Sequence, residues 1–172
     1  MTAPRARRAD YALFRPLATR WMDNDCYGHL NNVVHYALFD TAVNGWLVEA
    51  GLLDPVRSET FGLVVETGCR YHAEMAFPDR VMAGLRLGHL GTSSVRFEIG
   101  LFRNDEDLAA AEGFFVHVYV TRDGHRPHPI EPARREAFEM LRRPPAKGKP
   151  ATGRPATGRP ATGRPATGRP DP

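Results

Sequence analysis

One stretch constrains this chain more than any other: VVHYALFDTAVNGWLVEAG, from Val33 to Gly51. Asn31 or Asn32 stands where a helix N-cap is wanted, and Gly51 is placed to end the helix. Val33, Tyr36, Ala37, Val43, Trp46, Leu47 and Ala50 recur at spacings of three and four. Val34, Phe39 and Val48 broaden that stripe, so the helix is expected to be buried on most sides. After Gly62 the period changes to that of strands. Leu63-Val64-Val65 opens a strand expected to run to about Glu74. Asp79–Leu90, Ser93–Arg103 and Leu108–Thr121 follow, separated by the short turns Phe77-Pro78-Asp79, Gly88–Gly91, Asn104-Asp105 and, later, Asp123-Gly124. A single long apolar helix followed by closely connected strands predicts an α+β fold, in which an antiparallel sheet must wrap the helix to hide it. A short helix with a proline start is expected over Pro132–Leu141.

The remaining segments frame this unit. Tyr11–Trp21, with Leu13, Phe14 and Leu17, reads as a strand interrupted near Pro16, and a polar loop from Asp23 to His29 leads into the helix. From Ala151 to Pro170 the chain repeats ATGRP, with no aliphatic residue larger than alanine. Such a segment cannot bury enough apolar surface to offset its chain entropy. The expected organisation is a flexible N-terminus over 1–9, one domain over 10–143, and a disordered Pro/Arg-rich tail over 144–172. The tail carries a net +5 out of a whole-chain +3, which leaves −2 on residues 1–143. The basic balance therefore belongs to the tail, and it gives no reason to expect nucleic acid as a partner of the fold. Cys26 and Cys69 form no CxxC, so neither a disulfide framework nor a metal site is expected. The basic start MTAPRARRAD is followed by no apolar run of signal length, and no stretch reaches the ~20 apolar residues of a membrane span. A cytoplasmic protein is the expectation.

The loop carries the chemistry. Asp23-Asn24-Asp25-Cys26-Tyr27-Gly28-His29-Leu30-Asn31-Asn32, with Tyr36 beyond it, resembles the signature of the 4-hydroxybenzoyl-CoA thioesterase family. The resemblance extends through Arg70-Tyr71, Pro78-Asp79-Arg80-Val81, the Gly91–Ser94 turn and Gly113–Ile130, covering about Phe14–Leu141. It implies the hot-dog fold, about five antiparallel strands around one long central helix. It also implies an active site at a homodimer interface, in a homodimer or homotetramer. By position it assigns the catalytic carboxylate to Asp25 and the oxyanion donor to the backbone N–H of Asn32 or its neighbour. The implied reaction is hydrolysis of an acyl-CoA thioester, with coenzyme A entering as part of the substrate and no cofactor. The loop is closer to a His-Asn-Asn variant than to the aromatic-rich hydroxybenzoyl type, so a hydroxybenzoyl substrate is not implied.

Physical chemistry supports the same residues. Thioester hydrolysis needs a nucleophile or base and a donor where charge develops on oxygen, and a helix N-terminus offers free N–H groups and about half a positive charge. Asp25 would attack the carbonyl or deprotonate water. His29, Asn31, Thr92, Ser93 and Ser94 are candidate substrate contacts, and Asp23 is a loop-bracing acceptor. Glu66 and Glu74 are alternative carboxylates, from a different element. Cys26 lacks an evident base and reads as a small loop residue. Rival readings are a non-catalytic acyl-CoA binding module and a hot-dog enoyl-CoA hydratase using His29 and His35. The absence of G-x-S-x-G excludes the α/β-hydrolase route, and no G-x-G-x-x-G or P-loop is present.

Overall fold

The computed structural model of the protein describes residues 4–142. Its elements are β1 (Leu13–Leu17), α1 (Asn32–Glu49), β2 (Thr60–Tyr71), β3 (Val81–Leu90), β4 (Ser94–Arg103), β5 (Ala111–Thr121) and α2 (Pro132–Met140). The strands form one five-stranded antiparallel sheet in the order β1-β3-β4-β5-β2, with α1 packed on one face. This is the hot-dog arrangement that the sequence predicts. The tail expected over 144–172 lies outside the described residues.

Alternation decides which face of the sheet meets the helix. On β4, Val95, Phe97, Ile99 and Leu101 are fully buried, while Arg96 and Glu98 between them face the other way. On β5 the inward set is Phe115, His117 and Tyr119. The helix contributes Phe39, which meets Phe115 edge-on with ring centroids 6.3 Å apart. Trp46, further along α1, packs against Phe97 at 6.2 Å and against Phe138 of α2 at 5.9 Å. At Gly113 the helix lies so close that a Cβ would sit 2.3 Å from the Phe39 ring. Glycine at that position sets the helix–sheet approach.

The structure differs from the sequence expectations at several points. β1 is shorter than Tyr11–Trp21. It occupies an edge, paired only to β3, where Pro16 lacks an N–H at little cost. β2 stops at Tyr71 instead of near Glu74, because the N–H groups of His72 and Ala73 both turn to the Ala110 carbonyl, at 2.8 and 3.0 Å. Residues 4–9, expected to be flexible, are held against the 104–109 loop: the Ala109 N–H donates to the Ala6 carbonyl at 2.9 Å, the Arg8 N–H to Asp107 O at 3.0 Å, and Arg5 to Ala109 O. Finally, α1 is buried on one face only. His35, Leu38, Phe39, Ala42, Val43 and Leu47 are buried, whereas Val33 is 63% exposed and Val48 is also exposed. No described helix is long and apolar enough to cross a membrane.

Candidate active site

The loop between β1 and α1 is built from its own carboxylates. A turn over Trp21–Asp23 buries Asp23, whose carboxylate accepts from the Arg20 N–H at 2.7 Å and from the Arg20 guanidinium at 2.7 and 3.0 Å. The guanidinium bond holds the Asp23 carboxyl below the usual range. The Asp23 carbonyl then accepts the Asn31 N–H at 2.9 Å, which fixes the distance between the loop and the helix start. Asp23 therefore braces the loop, in keeping with its sequence reading.

Asp25 lies on the tip that this brace supports. Its N–H donates to His29 O at 2.8 Å, and the Gly28 N–H returns to Asp25 O at 3.1 Å. Gly28 has φ +84°, in the left-handed region where other residues are strained. The Asp25 carboxylate turns back onto its own loop, and its Oδ1 accepts from the Tyr27 N–H at 2.8 Å and the His29 N–H at 3.2 Å. Its Oδ2 has no protein partner among the described residues. At the helix start, Asn31 Oδ1 caps the Val33 N–H at 3.1 Å. The Asn32 N–H, at the first helical position, has no protein partner among the described residues and is one of the unsatisfied donors of a helix N-terminus.

The opposite wall comes from the segment after β2. It is tied to the loop by the Leu30 N–H on Met75 O at 2.7 Å and by the Phe77 N–H on Asn24 Oδ1 at 2.9 Å. Between the walls is a cavity of about 410 Å³ that takes in Asp25, His29, Asn32, His35, Tyr71, His72 and Glu74, with Leu30, Ala73 and Met75 as its apolar part. His29 Nε2 is 3.2 Å from the Glu74 carboxylate, and His72 Nε2 is 2.6 Å from Glu112. His35 donates from Nδ1 to the Asn31 carbonyl at 3.1 Å and packs edge-on against Tyr71 at 4.9 Å. Burial lowers its pKa below the ordinary histidine value, which favours the neutral ring.

Of the residues singled out in the sequence, Asp25, His29, Asn32, His35 and Glu74 meet in this cavity, and Asn31 is used as the helix cap. Thr92, Ser93 and Ser94 are not brought to it within one chain. On β5, the partner of Ser94 is Val118 and the partner of Tyr71 is Ala111, seven residues away. At ~3.3 Å per residue the separation is roughly 23 Å along the sheet. The turn instead packs on α2, where Arg135 donates to Gly91 O at 2.5 Å. Glu66 is also elsewhere, exposed beside the irregularity between Val64 and Glu66 on β2. Tyr71 is a cavity residue whose sequence signal was its place in the Arg70-Tyr71 part of the resemblance, and His72 is one without a signal of its own. His35 had one: it is four residues from Asn31, on the face above the cap.

The arrangement offers a carboxylate with one free oxygen, an unpaired N–H at the positive end of an 18-residue helix, and a partly apolar cavity between them. Those are the parts that acyl transfer to water requires. Among the described residues, no group of three or more His, Cys, Asp or Glu side chains is gathered to hold a metal ion.

Comparison with known proteins gives a family. The model of the thioesterase-like superfamily matches residues 19–138. Among solved structures, the PA5185 protein of Pseudomonas aeruginosa strain PAO1 is 50% identical, with a TM-score of 0.79, over 81% of this chain and 97% of that one. A thioesterase from Thermus thermophilus, complexed with coenzyme A and Zn, is 27% identical, with a TM-score of 0.63, over 77% of this chain and 95% of its own. A 1,4-dihydroxy-2-naphthoyl-CoA thioesterase from Synechocystis shares the fold, with a TM-score of 0.67 at 14% identity over 74% of this chain and 96% of its own. No curated protein matches.

Proposed function

We propose that this chain, which belongs to the thioesterase-like superfamily and is a thioester hydrolase of the hot-dog fold, acts on acyl-CoA with Asp25 as its catalytic carboxylate. The observation that carries this reading is the pairing, in one cavity, of the free Asp25 Oδ2 with the unpartnered Asn32 N–H. Coenzyme A in the Thermus thermophilus relative supports the choice of carrier.

In this reading the thioester carbonyl oxygen lies against the Asn32 N–H and the helix dipole, which stabilise the charge that builds on it. Asp25 acts in one of two ways. As nucleophile, Oδ2 bonds to the carbonyl carbon, the C–S bond breaks with its electron pair on the thiolate, and water then cleaves the mixed anhydride. As base, Oδ2 takes a proton from water, the hydroxide adds to the carbon, and the proton passes to the departing sulfur. Both routes give a free acid and coenzyme A. The bonds from Tyr27 and His29 to Oδ1 orient the carboxylate so that Oδ2 faces the substrate. Leu30, Ala73 and Met75 supply the apolar surface that an acyl group needs.

A second copy of the chain belongs to this proposal. β2 is an edge strand, and its consecutive Leu63, Val64 and Val65 are exposed, Val65 at 61%. An exposed apolar edge of this kind is a template for pairing. Tyr71, a cavity residue, ends the same strand, so a partner along β2 would stand beside the opening of the cavity. Pairing is proposed as a homodimer, alone or as half of a homotetramer, in the cytoplasm.

The test is thiol release across a panel of acyl-CoA thioesters of increasing chain length, including aromatic acyl groups. Turnover on at least one member is expected. Release from acyl carrier protein thioesters with none from any acyl-CoA would overturn the choice of carrier.

A further inference from the structure

Another cavity among the described residues is larger than the one that holds Asp25. It lies on the outer face of the sheet, away from α1, and has a volume of about 640 Å³. Arg5, Arg70, Arg86 and Arg96 line it together with three carboxylates, Asp10, Glu98 and Glu112. The carboxylates already have partners. Asp10 accepts the Arg7 N–H at 2.7 Å, Glu98 pairs with Arg86 at 2.7 Å, and Glu112 pairs with His72 at 2.6 Å. Arg5 and Arg86 are likewise engaged, Arg5 on the Ala109 carbonyl and Arg86 on Glu98.

The other two arginines of the lining, Arg70 and Arg96, make no hydrogen bond among the described residues. Arg70 is exposed and has no hydrogen-bond or ion-pair partner among the described residues. Arg96 makes no hydrogen bond there, its nearest ionic contact being 3.7 Å to Glu98. What holds Arg96 is its guanidinium plane, 3.5 Å over the ring of Phe114. Phe114 is in turn seated over Gly68, where a Cβ would come within 2.8 Å of the ring. A guanidinium stacked on one side keeps its other face open to a second flat group, and its edge N–H groups remain free for oxyanions. Arg70 adds a second free guanidinium in the same groove.

We propose that this groove is a binding site for a phosphorylated purine nucleotide, with the base stacked on Arg96 and the phosphates held by Arg70 and the Arg96 edge. Such a nucleotide has two sources. One is the nucleotide end of the coenzyme A carried by the substrate, a source that rests on the acyl-CoA reading above. Its route is short: Tyr71 and His72 line the Asp25 cavity, Arg70 lines the groove, and the His72–Glu112 pair spans the boundary between them. The other source is a separate nucleotide that regulates the enzyme.

The test uses the full-length protein and adenosine 3′-phosphate 5′-diphosphate as probe. Calorimetric titration is expected to show binding to the wild type, weakened at least ~10-fold in Arg70→Ala and in Arg96→Ala, the loss expected for a charge-assisted contact. Thiol release is then measured on an acyl-CoA and on the matching acyl-pantetheine, with and without the probe. Competition against acyl-CoA, with the acyl-pantetheine rate unchanged, supports the proposal with the substrate's own nucleotide as ligand. A changed rate on acyl-pantetheine supports it with a separate nucleotide as ligand. No binding to the wild type, or equal binding in wild type and both variants, overturns it. Absence of thiol release from every thioester would instead overturn the acyl-CoA reading and leave the binding result standing.

Discussion

At the residue scale, the sheet contains a histidine that does nothing for the proposed chemistry. His117 is 1% exposed, stands between Phe97 and Phe115, and neither ring nitrogen has a partner among the described residues. Desolvation lowers its pKa from 6.5 to about 4, so the folded protein holds it neutral. The unfolded chain binds a proton near pH 6.5 and the folded one only near 4. Stability from this group is therefore fully present above about 6.5, declines as pH falls toward 4, and levels off below it. The ceiling of the loss is ~3 kcal/mol. Urea denaturation at pH 7 and pH 4.5 should show a smaller acid loss in His117→Leu than in the wild type; equal losses would contradict the account. The strand expected over Leu108–Thr121 gave no hint that His117 would lack a partner, because partners are set by which neighbours pack over it. The surroundings of Asp25 are of the opposite kind: the residues that orient it, Tyr27 and His29, are local in sequence, inside the motif that singled it out, and bond to it through backbone N–H groups.

At the scale of elements, α1 carries both core residues and the proposed oxyanion donor, so its two ends are separable in their effects. Asn31→Ala removes the cap on the Val33 N–H and should cost ~1 kcal/mol of stability. It should also lower turnover, since Asn32 follows it directly; a chemical melt read beside a thiol-release assay checks both, and an unchanged melt would remove the capping role. At mid-helix, Gly113→Ala places a methyl against Phe39 and should destabilise by ~1–3 kcal/mol, the usual range for overpacking. Stability equal to the wild type would mean that the helix rides higher on the sheet than described. The helix and the four later strands were legible because their periods differ and their turns are marked by Gly, Pro, Asn and Asp. Which flank of α1 would stay exposed was not, since an apolar stripe broad enough to include Val33 and Val48 does not say how far the sheet reaches. Nor was it legible that the Thr92–Ser94 turn lies far from Asp25 within one chain, since sequence order does not reveal which end of the sheet a turn occupies.

At the scale of the whole molecule, the open β2 edge predicts assembly. Light scattering on the purified protein should give at least a dimer, and Val64→Lys with Val65→Lys should shift it toward monomer and reduce turnover, since charges on an edge oppose pairing. A fully active monomer would refute the shared site. Deleting residues 147–172 should leave melting temperature and assembly unchanged, an expectation from the composition of the ATGRP repeats alone. The central claim is tested most directly by the turnover of Asp25→Asn on the best acyl-CoA of the panel, compared with Glu74→Gln from the same cavity. The substitution keeps the shape and removes the charge, so kcat should fall at least ~100-fold with a much smaller change in KM, and Glu74→Gln should retain most activity. Near-normal turnover in Asp25→Asn together with loss of activity in Glu74→Gln would move the catalytic carboxylate to Glu74 and contradict the account.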